Sequence, residues 1–221
     1  MTSLAGLLDF SADHIRRHRR EDSVISIITA PELIDPRPIY LGATAWVATL
    51  LRTVRADQLT LPTPCDEFDV LTLSAHLIGT VGRIIAIAEL GSPDSVSPIA
   101  SEHDADTFAR LAEHAQRVWA DDALLDQPVK APWGESSGRF ALWGYTNEVL
   151  VHGWDLAVAI GQPAEADPTL VESTAEVVRQ LIPPASRVPG VPFSAVVEPR
   201  AEAGLTERLA NWSGRSSRAW V

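Results

Sequence analysis

Apolar residues recur every three or four positions in four long segments of the chain, which is the period of one face of an α-helix. These segments predict four long helices: one that starts at Pro38 and continues past Val54 to the polar stretch ending at Thr60, then Val70–Leu90, Glu102–Asp122 and Phe140–Ile160. A fifth helix is predicted at Pro168–Leu181, and a short one near Leu205–Trp212. Because no sheet-forming repeat accompanies them, the pattern predicts a mainly all-α protein, an antiparallel four-helix bundle with a short C-terminal appendage.

Prolines and glycines between these segments predict the domain limits. Pro31 and Pro36 precede the first core helix and Pro38 begins it, so residues 1–37 are interpreted as an N-terminal arm, whose predicted helix Ala5–Arg20 ends in an arginine-rich run. We interpret that run as a solvated face. Residues 38–182 are predicted to form the bundle, and residues 183–221 a short extension packed on it, with an extended stretch at Val191–Val197.

Composition and charge narrow the classes of function. The chain has 221 residues, 46% of them hydrophobic, and a mean hydropathy of +0.04, as is typical of a folded globular protein. Lys and Arg number 18 and Asp and Glu 29, so the formal net charge of 18 − 29 = −11 disfavours nucleic acids and anionic membranes as partners. We therefore expect a small molecule as the partner, with a homodimer left open.

The cysteine count and the first residues predict the compartment. Cys65 is the single cysteine, which excludes an internal disulfide and a thiolate metal cluster and fits a reducing compartment. Residues 1–10 lack the charged region and long apolar run of a signal peptide, and no stretch approaches the roughly 18 apolar residues of a membrane span. We expect a cytoplasmic protein.

Three ionisable residues in the most apolar helices are the candidate chemistry. Glu148 and His152 lie four residues apart on one predicted helix and therefore share a face. His76 lies in the middle of another apolar helix, and mid-helix side chains can meet across a bundle core. Two histidines and a carboxylate would form a three-ligand metal site with positions open for water or substrate.

Each of these residues also has a simpler interpretation. A lone histidine such as His76 is commonly a hydrogen-bonded core residue, and Glu148 and His152 can simply bond each other along the helix. The spacing is not the zincin motif, because Asn147 precedes Glu148 where that motif has histidine. The same ligand set also serves iron-dependent oxygenases, which is an enzymatic alternative.

Several motifs of the chain resemble the mycothiol-dependent maleylpyruvate isomerase-like family of DinB-related metal-binding proteins. They are the stretch from Pro62 to Val70 with His76 downstream, the stretch from Glu148 through His152-Gly153-Trp154-Asp155 to Gly161-Gln162, and the terminal Gly214-Arg215 and Trp220. The resemblance covers about residues 38–221. It implies a four-helix bundle that binds a divalent metal, usually zinc, through His76, Glu148 and His152. It also implies, in some members, a low-molecular-weight thiol such as mycothiol held by the metal.

The chain departs from the isomerases of that family at particular positions. The isomerases carry an arginine about one turn before the glutamate and a doubled histidine, where this chain has Tyr145 and His152-Gly153. Phe68 stands where a tryptophan is expected. These differences favour the broad family over maleylpyruvate isomerisation itself.

Other residues carry candidate roles of lesser weight. Tyr145 is a candidate catalytic donor of a proton or hydrogen bond, and Asp155 a candidate catalytic residue that orients an imidazole. Cys65 has no histidine nearby in sequence and is interpreted as packing. Arg215 is interpreted as an anion-binding residue or as a fastener of the C-terminal tail.

Taken together, these residues predict a divalent-metal-binding protein, a thiol-dependent transferase or isomerase that acts on a small electrophile. A thiolate generated by the metal would attack an electrophilic carbon and then be expelled or retained. The alternative from another class is a non-catalytic metal-binding or small-molecule-binding module.

Overall fold

The computed structural model describes residues 34–187 and 194–221. The predicted helix Ala5–Arg20 and its arginine run lie outside the described residues. The same is true of the first three residues of the predicted extended stretch Val191–Val197, and its other four form no strand. The first described helix begins at Pro36, two residues before its predicted start at Pro38.

The described residues are mostly helical, as predicted, with one two-stranded sheet. The helices are α1 (Pro36–Leu51), α2 (Val70–Leu90), α3 (Ala105–Val118), α4 (Ala123–Asp126), α5 (Gly138–Ile160), α6 (Pro168–Leu181) and α7 (Leu205–Trp212). Between α4 and α5, β1 (Pro128–Ala131) pairs antiparallel with β2 (Gly134–Ser137). Short 3₁₀ turns occupy Ala56–Gln58 and Pro184–Ser186.

Local side-chain chemistry determines where the helices begin and end. The carboxylate of Asp69 accepts a hydrogen bond from the backbone of Thr72 at 2.8 Å and so caps the start of α2. Asp104 caps α3 in the same way through Thr107, also at 2.8 Å. Gly91 ends α2 with a φ of 75°, a left-handed conformation that favours glycine.

Two predicted helices are longer than the observed ones. The first ends at Leu51 rather than near Thr60, because the chain turns into a 3₁₀ segment even though apolar residues continue to Val54. The third was predicted from Glu102, but the cap from Asp104 delays its start to Ala105. Tertiary contacts and capping outweigh periodicity at these ends.

Helix α5 is the centre of the fold. It packs against α1, α2, α4, α6 and α7, and it is apolar around its whole circumference, as expected of a buried helix. Helices α2 and α5 run in opposite directions. Phe68, just before the start of α2, contacts the ring of His152 in the second half of α5. At the other end of α2, the carbonyl of Gly91 accepts a hydrogen bond from the backbone of Lys130, in the hairpin that precedes α5. The middle of α2 therefore faces the middle of α5.

Helix α2 also has the length and apolarity of a membrane span. Its mean hydropathy is 1.7 over the most apolar window, and 72% of that window is buried inside the protein. Leu73, Leu77 and Ile84 are fully buried in the core. Packing against α3 and α5 accounts for the apolar character of this helix.

Candidate metal centre

The fold brings together His76 of α2 with Glu148 and His152 of α5, the three residues that the sequence singled out. Oε1 of Glu148 lies 3.3 Å from Nε2 of His76 and 3.4 Å from Nε2 of His152. The two imidazole rings stand edge to face with centroids 4.8 Å apart. One ligand atom from each residue lies within 4.8 Å of those of the other two, which is close enough to share one metal ion.

The other ring nitrogen of each histidine is committed to an oxygen. Nδ1 of His76 lies 2.9 Å from the carbonyl oxygen of Pro98, and Nδ1 of His152 lies 2.9 Å from Oδ2 of Asp155. Carbonyl and carboxylate oxygens only accept hydrogen bonds, so both Nδ1 atoms must carry the proton. In a neutral ring the lone pair is then on Nε2 and points toward Glu148.

The carboxylate of Glu148 and the two Nε2 atoms thus converge on one point, where protons or a metal ion can balance the negative charge of the carboxylate. Burial by itself disfavours the charged carboxylate, but hydrogen bonds from His152 and His76 hold the pKa of Glu148 well below its usual range. Burial likewise favours a neutral imidazole, yet hydrogen bonds to Asp155 and Glu148 raise the pKa of His152 to about 9. Without a metal, a second proton on the His152 ring supplies positive charge beside Glu148; a metal ion can replace it.

Asp155 and Arg215 support His152 from behind. The carboxylate of Asp155 is fully buried and accepts hydrogen bonds from Nε of Arg215, at 2.9 Å and 3.1 Å to its two oxygens. Arg215 belongs to the tail that follows α7, so this tail is fastened to the candidate centre. Asp155 is placed to orient the imidazole, as the sequence suggested, and Arg215 is placed as a fastener.

The centre is closed on one side and open on the other. The ring of Phe68 lies 5.0 Å from that of His76 and 6.2 Å from that of His152. His152 is almost fully buried, whereas 38% of the Glu148 side chain is exposed. A ligand therefore has access from the side of Glu148.

The remaining candidates lie at different distances from this centre. Tyr145 is buried one turn before Glu148, and burial raises its pKa to about 12, while nearby Arg83 acts in the opposite direction. Cys65 lies beside His152 and Asp155, closer than the sequence suggested, and burial raises the pKa of its thiol despite Arg215. Trp143 and Trp154 are fully buried in the core.

Sequence reasoning missed three groups around the centre. The carbonyl of Pro98 orients His76, but a backbone acceptor leaves no signal in the sequence. Thr80 and Arg83 follow His76 on the same face of α2; the hydroxyl of Thr80 lies 3.5 Å from Nε2 of His76. Arg83 is the only arginine or lysine of α2, and a cationic side chain in so apolar a helix was the available signal.

Gly79 makes the approach of the Pro98 loop to α2 possible. A Cβ atom on Gly79 would lie 2.7 Å from the carbonyl carbon of Pro98, and closer still to the oxygen that holds His76. We expect Gly79→Ala to displace this backbone and to lower the free energy of unfolding by about 1–3 kcal/mol. It should also weaken metal binding by freeing the His76 ring. Chemical denaturation and a metal titration measure the two effects.

Gly82→Ala is the matched control for this prediction. A Cβ atom on Gly82 would meet only a methyl group of the Val96 side chain, at 3.2 Å, and that side chain can turn away. We expect the control to leave metal affinity unchanged and to preserve or slightly raise stability, since alanine favours helix more than glycine does. Equal losses in the two variants would contradict the role assigned to the Pro98 carbonyl.

The chain is similar to a known protein family and to two mycobacterial proteins. Residues 41–157 match the family of the mycothiol maleylpyruvate isomerase N-terminal domain. Two uncharacterized proteins, from two strains of Mycobacterium tuberculosis, are each 34% identical to the chain over 188 residues, which is 84% of this chain and 100% of theirs. No solved structure matches the chain. The family match includes His76, Glu148 and His152 and ends before Arg215.

Proposed function

From the premise that the chain belongs to the mycothiol maleylpyruvate isomerase N-terminal domain family, we propose that it is a DinB-like four-helix bundle protein that binds a divalent metal. In this proposal the preferred metal is zinc, and its ligands are His76, Glu148 and His152. We propose further that it is a thiol-dependent transferase or isomerase of a small electrophile, working in the reducing cytoplasm. The observation that carries the proposal is the convergence of three lone pairs at 3.3–3.4 Å, with both histidines oriented through Nδ1.

The residues present fit a metal ion on chemical grounds. Two imidazoles and one carboxylate are an established ligand set for zinc, and hydrogen bonds from the far side of the imidazoles are typical of such sites. Three protein ligands leave coordination open on the exposed side of Glu148. The bound metal would act as a Lewis acid that lowers the pKa of a thiol and so supplies a thiolate at neutral pH.

The surrounding residues have separate tasks in this proposal. Asp155 and Arg215 hold His152 in one tautomer and orientation, and the ring of Phe68 shields both imidazoles from water. The hydroxyl of Tyr145 keeps its proton at neutral pH, since its pKa is about 12, and is available to donate a hydrogen bond to a ligand. Tyr145 and Gly153, which replace residues expected in the isomerases, favour a reaction other than maleylpyruvate isomerisation.

Cobalt substitution tests the metal and the thiol separately. We expect the full chain to bind about one equivalent of cobalt(II) and N-acetylcysteine to produce a sulfur-to-cobalt charge-transfer band. N-acetylserine, which has oxygen in place of sulfur, should produce none. Absence of any metal binding would refute the proposal. Metal binding without thiol binding would leave a metal-binding module.

A further inference from the structure

A second polar feature lies along α2 from the candidate centre. His76, Thr80 and Arg83 are spaced by four and then three residues and so share one face of the helix. The rise of 1.5 Å per residue places Arg83 about 10 Å beyond His76 along the axis. Because α5 runs in the opposite direction, Arg83 lies toward the start of α5, the same direction in which Tyr145 lies from Glu148, and the guanidinium is near enough to lower the pKa of the Tyr145 hydroxyl.

Within residues 34–187 and 194–221, Arg83 has no carboxylate partner. Its Nη1 donates to the backbone oxygen of Val96 at 2.9 Å, and no ion pair to it occurs among the described residues. Asp94 is near enough for its charge to be felt, but that carboxylate is already paired with Lys130. A guanidinium has five N–H donors, so most of those of Arg83 are left for a ligand.

Tyr145 adds a second donor beside this guanidinium. Its side chain is only 3% exposed, and its hydroxyl has no hydrogen-bond partner of ordinary geometry among the described residues. Such a buried hydroxyl costs free energy unless something binds it. The ring is held by Trp133 of the hairpin turn, with centroids 5.8 Å apart. Arg83 and Glu148 both act on its pKa, so both charged groups lie near this hydroxyl.

We propose that Arg83 and Tyr145 form a subsite for the carboxylate of a ligand whose other end reaches the centre formed by His76, Glu148 and His152. The inference rests on the proposed function, because it assumes a ligand at that centre. One guanidinium and one hydroxyl match the charge and the two oxygens of a carboxylate; a phosphate dianion generally needs more positive charge. The carboxylate belongs either to the thiol or to the electrophile.

The first arm of the test uses thiols that differ only in their far end. The cobalt-loaded chain is titrated with a mercaptoalkanoic acid and with the mercaptoalkanol of the same length, and the charge-transfer band reports binding. We expect the acid to bind about tenfold more tightly or better. Arg83→Gln should abolish that preference, and Tyr145→Phe should reduce it. Arg110→Gln is the control, since Arg110 is exposed on α3 and, in the described part of the chain, its side chain bonds only Thr107.

The second arm separates the two sources of the carboxylate. With 2-mercaptoethanol present as a neutral thiol, succinate is titrated by calorimetry. If succinate binds and Arg83→Gln removes that binding, the subsite takes the carboxylate of the electrophile. If only the first arm shows tighter binding of the acid than of the alcohol, the subsite takes the carboxylate of the thiol. Either result supports the subsite. Equal binding of acid and alcohol, together with no succinate binding that depends on Arg83, overturns it.

The two arms also keep the subsite distinct from the proposed function. If cobalt does not bind or accepts no thiol, the proposed function fails. Succinate titration of the metal-free chain then decides the subsite: binding lost in Arg83→Gln supports it, and no binding overturns it.

Discussion

We expect Glu148→Gln to lower zinc affinity by at least about a hundredfold, since the substitution removes the anionic ligand and zinc sites of this kind gain several kcal/mol from each ligand. Gln keeps the size of the side chain but not its charge. His76→Ala should have an effect of the same order, because it removes the ligand contributed by α2. Competition with a chromophoric chelator measures both affinities.

His114→Ala is the matched control for the ligand variants. His114 lies on α3, its side chain is 43% exposed, and its Nε2 lies 3.2 Å from a carboxylate oxygen of Glu89, so it imitates a histidine–glutamate pair away from the centre. We expect it to bind zinc like the unaltered chain. Unchanged zinc affinity in Glu148→Gln, or an equal loss in His114→Ala, would refute the ligand assignment.

We expect Asp155→Asn to destabilise the protein by about 3–5 kcal/mol and to weaken zinc binding about 10- to 100-fold. The substitution leaves the guanidinium of Arg215, of which only 18% is exposed, without its anion. It also removes the carboxylate that fixes the tautomer of His152. Denaturant unfolding of the metal-free protein and zinc competition measure the two losses independently.

Glu207→Gln separates these two consequences. Glu207 is a buried carboxylate bonded by Arg200 at 2.8 Å and 2.9 Å, so it resembles Asp155 in its partner but lies outside the centre. We expect this variant to lose stability while keeping its zinc affinity. If zinc affinity falls in both variants in proportion to stability, Asp155 has only a structural role.

The helices that the sequence located most accurately are those with local start and stop signals. Helices α2 and α6 were predicted with the observed limits because a capping aspartate, a proline in the first turn or a terminal glycine marks their ends. The end of α1 carries no such signal, and its periodicity continued into a 3₁₀ turn.

The candidate site likewise has features that local sequence predicts and features that depend on packing. The helical period alone places Glu148 and His152 on one face, and the apolar setting of His76 marks it as a residue that needs a partner. The approach of His76 to Glu148 at 3.3 Å required the packing of α2 on α5. The sequence suggested this meeting only by assuming an antiparallel bundle and by resemblance to a family.

The sequence by itself determined the helices, the three candidate ligands and the family, since each depends on the type and spacing of nearby residues or on motifs within one stretch of chain. The tertiary structure alone decided the tautomer of His76, through the carbonyl of Pro98, and the fastening of Asp155 by Arg215. These contacts join groups at least 22 residues apart in the chain. Their geometry is a property of packed helices and backbone oxygens, which leave no local pattern in the sequence.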